Sequence, residues 1–212
     1  MKDGRIKESR IDESILRVWK LKAAHGLFEN GGIVDVSKTE EIIEAPEFQT
    51  LSTEMSRTVR RTLRMRKGLL PLTPEQSLLV IDRVTDIQIN RNDYWNRPGM
   101  FFDFLRQYTD DLTYIDYNGK NADRALDLAE RFKNAVDVIL ITTDYDRGDV
   151  ENASYKLVQD LQKLGKPVIQ ISSNPYREQL VPDESKNVVL TYGLMREQLQ
   201  GVAAWLFGRE QA

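Results

Sequence analysis

The sequence predicts an α/β fold, a three-layer αβα sandwich with a mostly parallel sheet, preceded by N-terminal helices. Three observations predict it. Five short apolar runs recur at Leu78–Ile81, Leu112–Ile115, Val136–Ile141, Pro167–Ile171 and Val188–Leu190, each of strand length and rich in Val, Ile and Leu. Segments of helical period separate or follow them, at Met100–Tyr108, Ala122–Lys133, Ala153–Leu164 and Leu194–Phe207. Such alternation builds right-handed βαβ units, and strands apolar throughout belong to a parallel sheet covered on both faces. Before residue 69 the alternation is missing, and apolar residues fall at helical spacing instead.

The elements follow in order. Ile11, Ile15, Val18 and Trp19 mark a helix over 11–25, with Asp12 or Ser14 as cap and Gly26 as stop. Asn30-Gly31-Gly32 is a turn. Pro46 opens a second helix, in which Phe48, Leu51, Met55, Val59 and Leu63 repeat at three- and four-residue steps. That helix is expected to reach residue 66 and to end on a basic run, Arg57, Arg60, Arg61, Arg64, Arg66 and Lys67, which suits the negative end of its dipole. The run has no interleaved aromatics, so it reads as a solvated or interdomain face rather than a nucleic-acid patch. Residues 1–68 thus form a helical part and 69–212 the sandwich. In the sandwich, Gly165-Lys166-Pro167 stops one helix and starts a buried strand, and Gly208 closes the last helix.

Composition removes several classes of function. A net charge of −3 gives no general attraction to nucleic acid or anionic membrane. No apolar stretch approaches the ~20 residues of a membrane span. With no Cys and one His, thiolate zinc sites, cysteine nucleophiles, multi-histidine metal sites and His-based triads are not expected. No metal or other cofactor is expected, since neither a dinucleotide fingerprint nor a phosphate loop occurs. Cytoplasm and export are both compatible with these features.

Ligands of open α/β sheets bind at the carboxyl ends of the strands. There the sequence offers Asp82-Arg83 after the first strand, Asp116 after the second and Thr142-Thr143-Asp144 after the third. Ser172-Ser173-Asn174 follows the fourth and Tyr192-Gly193 the fifth. Polar residues are also expected there because loops must satisfy their backbone groups. Tyr94 and Trp95, in the loop Asn90–Phe102, offer a flat aromatic surface for a sugar ring, an adjoining domain or the sheet itself. A phosphoacceptor receiver shares this architecture, but Asp82 stands beside Arg83 rather than a second acid, and Tyr192-Gly193 stands where a lysine is needed. Ser154, Ser172 and Ser173 lack the Gly-x-Ser-x-Gly elbow of serine hydrolases. His25, at a helix end, suits a structural or surface role.

Several segments together carry a family resemblance. RIDESILRVWKLKAAHGLFEN at 10–30 resembles the place where the catalytic barrel ends in glycoside hydrolase family 3, most of all in its β-N-acetylhexosaminidase branch. GLLPL at 68–72 is similar to the start of that family's second domain, and GKPVIQISSNPY at 165–176 to its Gly-Lys-Pro-Val strand and following turn. VVLTYG at 188–193 and LFG at 206–208 resemble its closing elements. The resemblance implies an αβα second domain at 69–212, preceded by a remnant of the barrel end and a docking linker. About ten residues precede the first motif, whereas a (β/α)₈ barrel needs about 200–250.

In that branch the nucleophile and the proton donor belong to the barrel, on a strand-end Asp and within Lys-His-x-Pro-Gly-x-Gly-Asp. Neither motif is present, so no residue here is expected to be catalytic and the chain alone is expected to be inactive. The implied role is a non-catalytic domain that braces a barrel, shapes outer substrate positions and supports homodimer formation. Its implied partners are a barrel in cis or in trans and an N-acetylglucosamine-containing glycan. The alternatives are a separate subunit completing a split glycosidase and an independent carbohydrate- or small-ligand-binding module. The residues expected to face substrate or a neighbouring domain are Asp82, Arg83, Tyr94, Trp95, Asp116, Asp144, Ser173 and Asn174.

Overall fold

The structure, a computed structural model, describes residues 6–29, 31–33, 35–84, 97–144, 153–173 and 180–209. Its contacts divide the chain into two compact units, Met1–Phe48 and Gln49–Ala212.

In the first unit, α1 spans Glu8–Ala24. It starts earlier than the sequence suggests: Lys7 is the N-cap and makes no side-chain cap bond, while Glu8 places an acid against the positive end of the dipole. Ser14 lies inside the helix and its hydroxyl donates to the Arg10 carbonyl at 3.1 Å. Gly26 ends the helix as expected, at φ +67° with its N–H on Ala23 O at 3.0 Å. A 3₁₀ turn at Val36–Lys38 is capped by Asp35, whose carboxylate accepts from Ser37 N–H at 3.1 Å, and α2 follows at Thr39–Ile43. No described residue of this unit is buried; Trp19 is 58% exposed and Phe28 60%.

Helix α3, Pro46–Val59, runs across the division between the units. It stops seven residues short of the expected end. Arg61–Arg64 instead forms strand β1, antiparallel to the last strand of the sheet, with Arg61 opposite Leu190. Tertiary contacts consume the basic run that reads as a helix terminus. Arg64 Nη1 donates to the carbonyls of Pro182, Asp183 and Ser185 at 3.0, 3.1 and 3.0 Å. Arg66 N–H donates to Asn187 Oδ1 at 2.8 Å, and the Arg60 guanidinium lies 5.3 Å from the Trp205 ring.

The five expected strands are all present: β2 Leu78–Arg83, β3 Leu112–Tyr117, β4 Val138–Thr143, β5 Val168–Ser172 and β6 Val188–Leu190. The sheet order is β1-β6-β5-β4-β2-β3, parallel except for β1. Every residue of β2, β4, β5 and β6 is buried, which explains why they are mostly apolar, with Gln170 inside β5 and polar residues at the carboxyl ends of β2, β4 and β5 as the exceptions. Edge strand β3 is partly exposed.

Among the described residues, four α-helices flank the sheet: α4 Met100–Leu105, α5 Ala122–Phe132, α6 Ala153–Gln162 and α7 Arg196–Leu206. On one face Leu78, Val80, Leu140 and Ile171 pack with Phe101 and Leu105 of α4 and with Val202 and Leu206 of α7. On the other, Leu79, Ile81, Ile139 and Ile141 pack with Ala125 and Ala129 of α5 and with Leu157, Val158 and Leu161 of α6. The αβα sandwich with its mostly parallel sheet is therefore as the apolar periods predict.

Near β6 the second face is closed by residues 180–187 rather than by a helix, with Leu180 and Val181 against Val188 and Leu190. A buried amide holds this segment. Gln170 Nε2 donates to Thr143 Oγ1 at 3.0 Å and to Leu180 O at 2.5 Å, and its Oε1 accepts from Ser185 Oγ at 3.1 Å. Asn187 repeats the device, donating to Val168 O at 2.9 Å. Replacing Gln170 by Leu keeps volume but orphans three buried partners, each worth about 1–3 kcal/mol, against the roughly 1.5–3 kcal/mol gained by burying an apolar side chain. Gln170→Leu is expected to lower unfolding free energy by about 2–4 kcal/mol in urea titration, whereas a neutral effect would mean that the segment is held by its apolar contacts alone.

Candidate functional site

The order β3-β2-β4-β5-β6 reverses direction at β2, so the topological switch point lies between β2 and β4. Their carboxyl ends carry Asp82, Arg83, Thr142 and Thr143, all buried. The expected position of Asp82 and Arg83 in a loop after the strand is corrected here: they are the last two residues of β2, and strand alternation sends them to opposite faces.

Arg83 turns to the α5–α6 face. Its guanidinium lies 5.6 Å from the Tyr117 ring, and Nη1 donates to Val84 O at 2.9 Å. Tyr117 in turn donates its hydroxyl to Thr142 O at 2.9 Å. Asp82 turns toward α4. Thr142 Oγ1 donates to it at 2.6 Å while accepting Arg83 N–H at 2.7 Å. Asp116 is likewise corrected from loop to strand. It pairs with Asp82 across the β2–β3 register, on the exposed part of β3.

Burial governs the chemistry of Asp82. Desolvation pushes its pKa up from the ordinary 3.8 to about 6, outweighing the opposing hydrogen bonds of Thr142, Gly99 N–H and Tyr114; the nearby Asp116 charge adds a small upward push. Gly99 has φ +77° and sits under Tyr114, whose hydroxyl is 4.0 Å from where a Cβ at 99 would be. The Tyr114 hydroxyl is itself buried beside the Asp82 carboxyl. Its own ionisation is pushed up by burial first and then by the charges of Asp82 and Asp116. Burial of this constellation favours the protonated form of Asp82.

Asp144, after β4, and Ser173, after β5, are brought together: the Ser173 hydroxyl donates to the Asp144 carboxylate, and Ser173 N–H bonds Thr143 O at 2.9 Å. Tyr94, Trp95 and Asn174 lie outside the described residues. His25 is the exposed C-cap of α1. Among the described residues no group of three or more His, Cys, Asp or Glu side chains converges to hold a metal ion, and no helix is long and apolar enough to cross a membrane. Thr142 lies where the sequence places it, after the apolar run of β4, whereas Gly99 and Tyr114 carry no local signal that would mark them as its neighbours at Asp82. Extending the period-two pattern of β3 by two residues would have put Tyr114 and Asp116 on the face of Asp82.

Because folding raises the Asp82 pKa, the folded chain keeps a proton that the unfolded chain has released between about pH 4 and pH 6. Its contribution to stability is therefore present at acid pH and is lost as pH rises through that window, by up to about 3 kcal/mol. Asp82→Asn removes this slope. In urea titrations the wild-type-minus-variant difference should fall across the window and stay flat above about pH 7, and a difference that does not vary with pH would contradict the assignment.

No protein-family model matches the sequence, and no curated protein matches it either. Solved structures do match. A glycoside hydrolase family 3 β-N-acetylglucosaminidase from Paenibacillus sp. str. FPU-7 superposes with a TM-score of 0.74 and 17% identity, over 99% of this chain and 39% of that one. A fungal multi-domain family 3 β-N-acetylglucosaminidase gives 0.68 and 20%, over 98% of this chain and 23% of that one. A β-glucosidase from Listeria innocua, in complex with isofagomine, gives 0.69 and 19%, over 99% and 32%. The chain thus spans well under half the length of each. It shares its fold with one part of family 3 β-N-acetylglucosaminidases and β-glucosidases.

Proposed function

We propose that this chain is the non-catalytic αβα domain of a family 3 glycoside hydrolase of the β-N-acetylglucosaminidase kind, bracing a catalytic barrel supplied in cis or in trans and shaping its outer substrate positions. The observation that carries this reading is the coverage: 99% of the chain is matched by 39% of the Paenibacillus enzyme. Retaining hydrolysis needs two carboxyl groups about 5–5.5 Å apart with the glycosidic bond between them. Of the described carboxylates at the sheet end, Asp82 is 7% exposed, Asp116 sits on the edge strand and Asp144 is engaged by Ser173. The barrel motifs that hold the nucleophile and donor in the hexosaminidase branch are absent from the sequence.

The first unit supports the same reading. Ile15, Val18, Trp19, Leu27 and Phe28 are all exposed, and none of the described residues around them is buried. An apolar surface of this kind marks an interaction site, and a barrel is the partner that fits it.

The purified chain is expected not to turn over a chromogenic N-acetylglucosaminide. Mixed with a family 3 barrel expressed without its own αβα domain, it should bind, as read by sedimentation, and raise the barrel's melting temperature. Trp19→Glu should weaken that association by about tenfold or more. Turnover by the chain alone that disappears in Asp144→Asn would overturn the proposal.

A further inference from the structure

After β6 the chain turns through Thr191–Met195 into α7, and two unfavourable features meet in that turn. Tyr192 has φ +57° and is the one non-glycine residue with positive φ among the described residues. An L-residue in this basin crowds its Cβ against the following carbonyl. The side chain is 53% exposed, so packing does little to compensate. Beside it, the Gln198 amide lies over Gly193, 3.5 Å from where a Cβ at 193 would be, and its Oε1 is buried without a hydrogen-bond partner. Strain and unsatisfied polarity gathered at one exposed turn are the marks of a surface kept for contact rather than for stability.

The turn is held in place from the sheet. Thr191 donates its N–H and its hydroxyl to Ser172 O at 2.9 and 3.2 Å, and the next residue of β5's end, Ser173, donates to Asp144. Asp144, Ser173 and Tyr192 thus follow one another across the carboxyl ends of β4, β5 and β6. An exposed phenol ring supplies an apolar plate with a polar rim, and the carboxylate and hydroxyl oxygens of the Asp144–Ser173 pair supply acceptors for sugar hydroxyls.

We infer that Tyr192 is a stacking platform for a pyranose ring of a β-linked N-acetylglucosamine oligosaccharide, with Asp144 and Ser173 as its hydrogen-bonding neighbours. This rests on the glycosidase reading and adds to it a contact residue and a place on the sheet edge.

Calorimetric titration of the full chain with the N-acetylglucosamine trimer tests it. Saturable millimolar binding is expected, weakened by about tenfold or more in Tyr192→Gly and largely kept in Tyr192→Phe. Tyr192→Gly also relieves the positive φ, so its urea midpoint should rise above that of the wild type, which separates lost binding from lost folding. Wild type that binds no trimer at millimolar concentration, Tyr192→Gly that binds it undiminished, or a urea midpoint that falls would each overturn the inference. Loss of trimer binding with barrel association intact removes only this inference. Trimer binding that depends on the Tyr192 ring, without barrel association, supports the platform and removes only the domain reading.

Discussion

Strands β2, β4 and β5 see no solvent on either face, and most of the second unit follows from that. A strand covered on both sides is mostly apolar, its buried polar residues need partners, and its neighbours must supply apolar cover above and below. Helices α4 and α7 provide one layer and α5 and α6 the other. Where no helix reaches, beside β6, the chain closes the face with an irregular segment, and an irregular segment in the core brings backbone carbonyls that need donors. Gln170 and Asn187 are the polar residues that the continuous burial demands there, and the side chain of Arg64 reaches the same segment from β1.

The same constraint sets the character of the sheet's carboxyl end. Thr142 serves Asp82 and Arg83 at once, Tyr117 returns to Thr142, and Ser173 turns to Asp144. These groups satisfy one another first. A raised carboxyl pKa in a cleft is a common sign of acid–base work, but the sign depends on access. Asp82 owes its shift to the loss of water, and structural burial and catalytic tuning produce the same pKa direction here.

What was legible in the sequence follows the strength of the burial signal. All five parallel strands announce themselves as apolar runs because most of their residues face the core. Strand β1 does not, because Arg61-Thr62-Leu63-Arg64 lies at an edge and owes its conformation to partners more than 100 residues away; the three-and-four spacing of Leu63 with Val59 makes a helix the natural local reading. Asp82 and Asp116 read as loop residues because a charge after an apolar run signals the end of a strand, whereas the backbone pairing continues through both. Tyr192 was legible as a residue after β6 but not as a strained one, since its φ is imposed by the path from β6 into α7.

The two units differ in what they need from outside. The second buries aliphatic side chains on both faces of its sheet and satisfies its irregular segment internally. In the first, α1 and α2 present Trp19, Leu21 and Ile42 to solvent, the turn after α1 presents Phe28, and no described side chain is buried. Helices of this length gain most of their stability from packing an apolar face, and isolated ones are marginal in water. A partner that covered that face in its helical form alone would by mass action stabilise the unit as it bound. The free energy of that contact would then be shared between recognition and folding, and its apparent affinity would be lower than the apolar area suggests by the cost of ordering the helices.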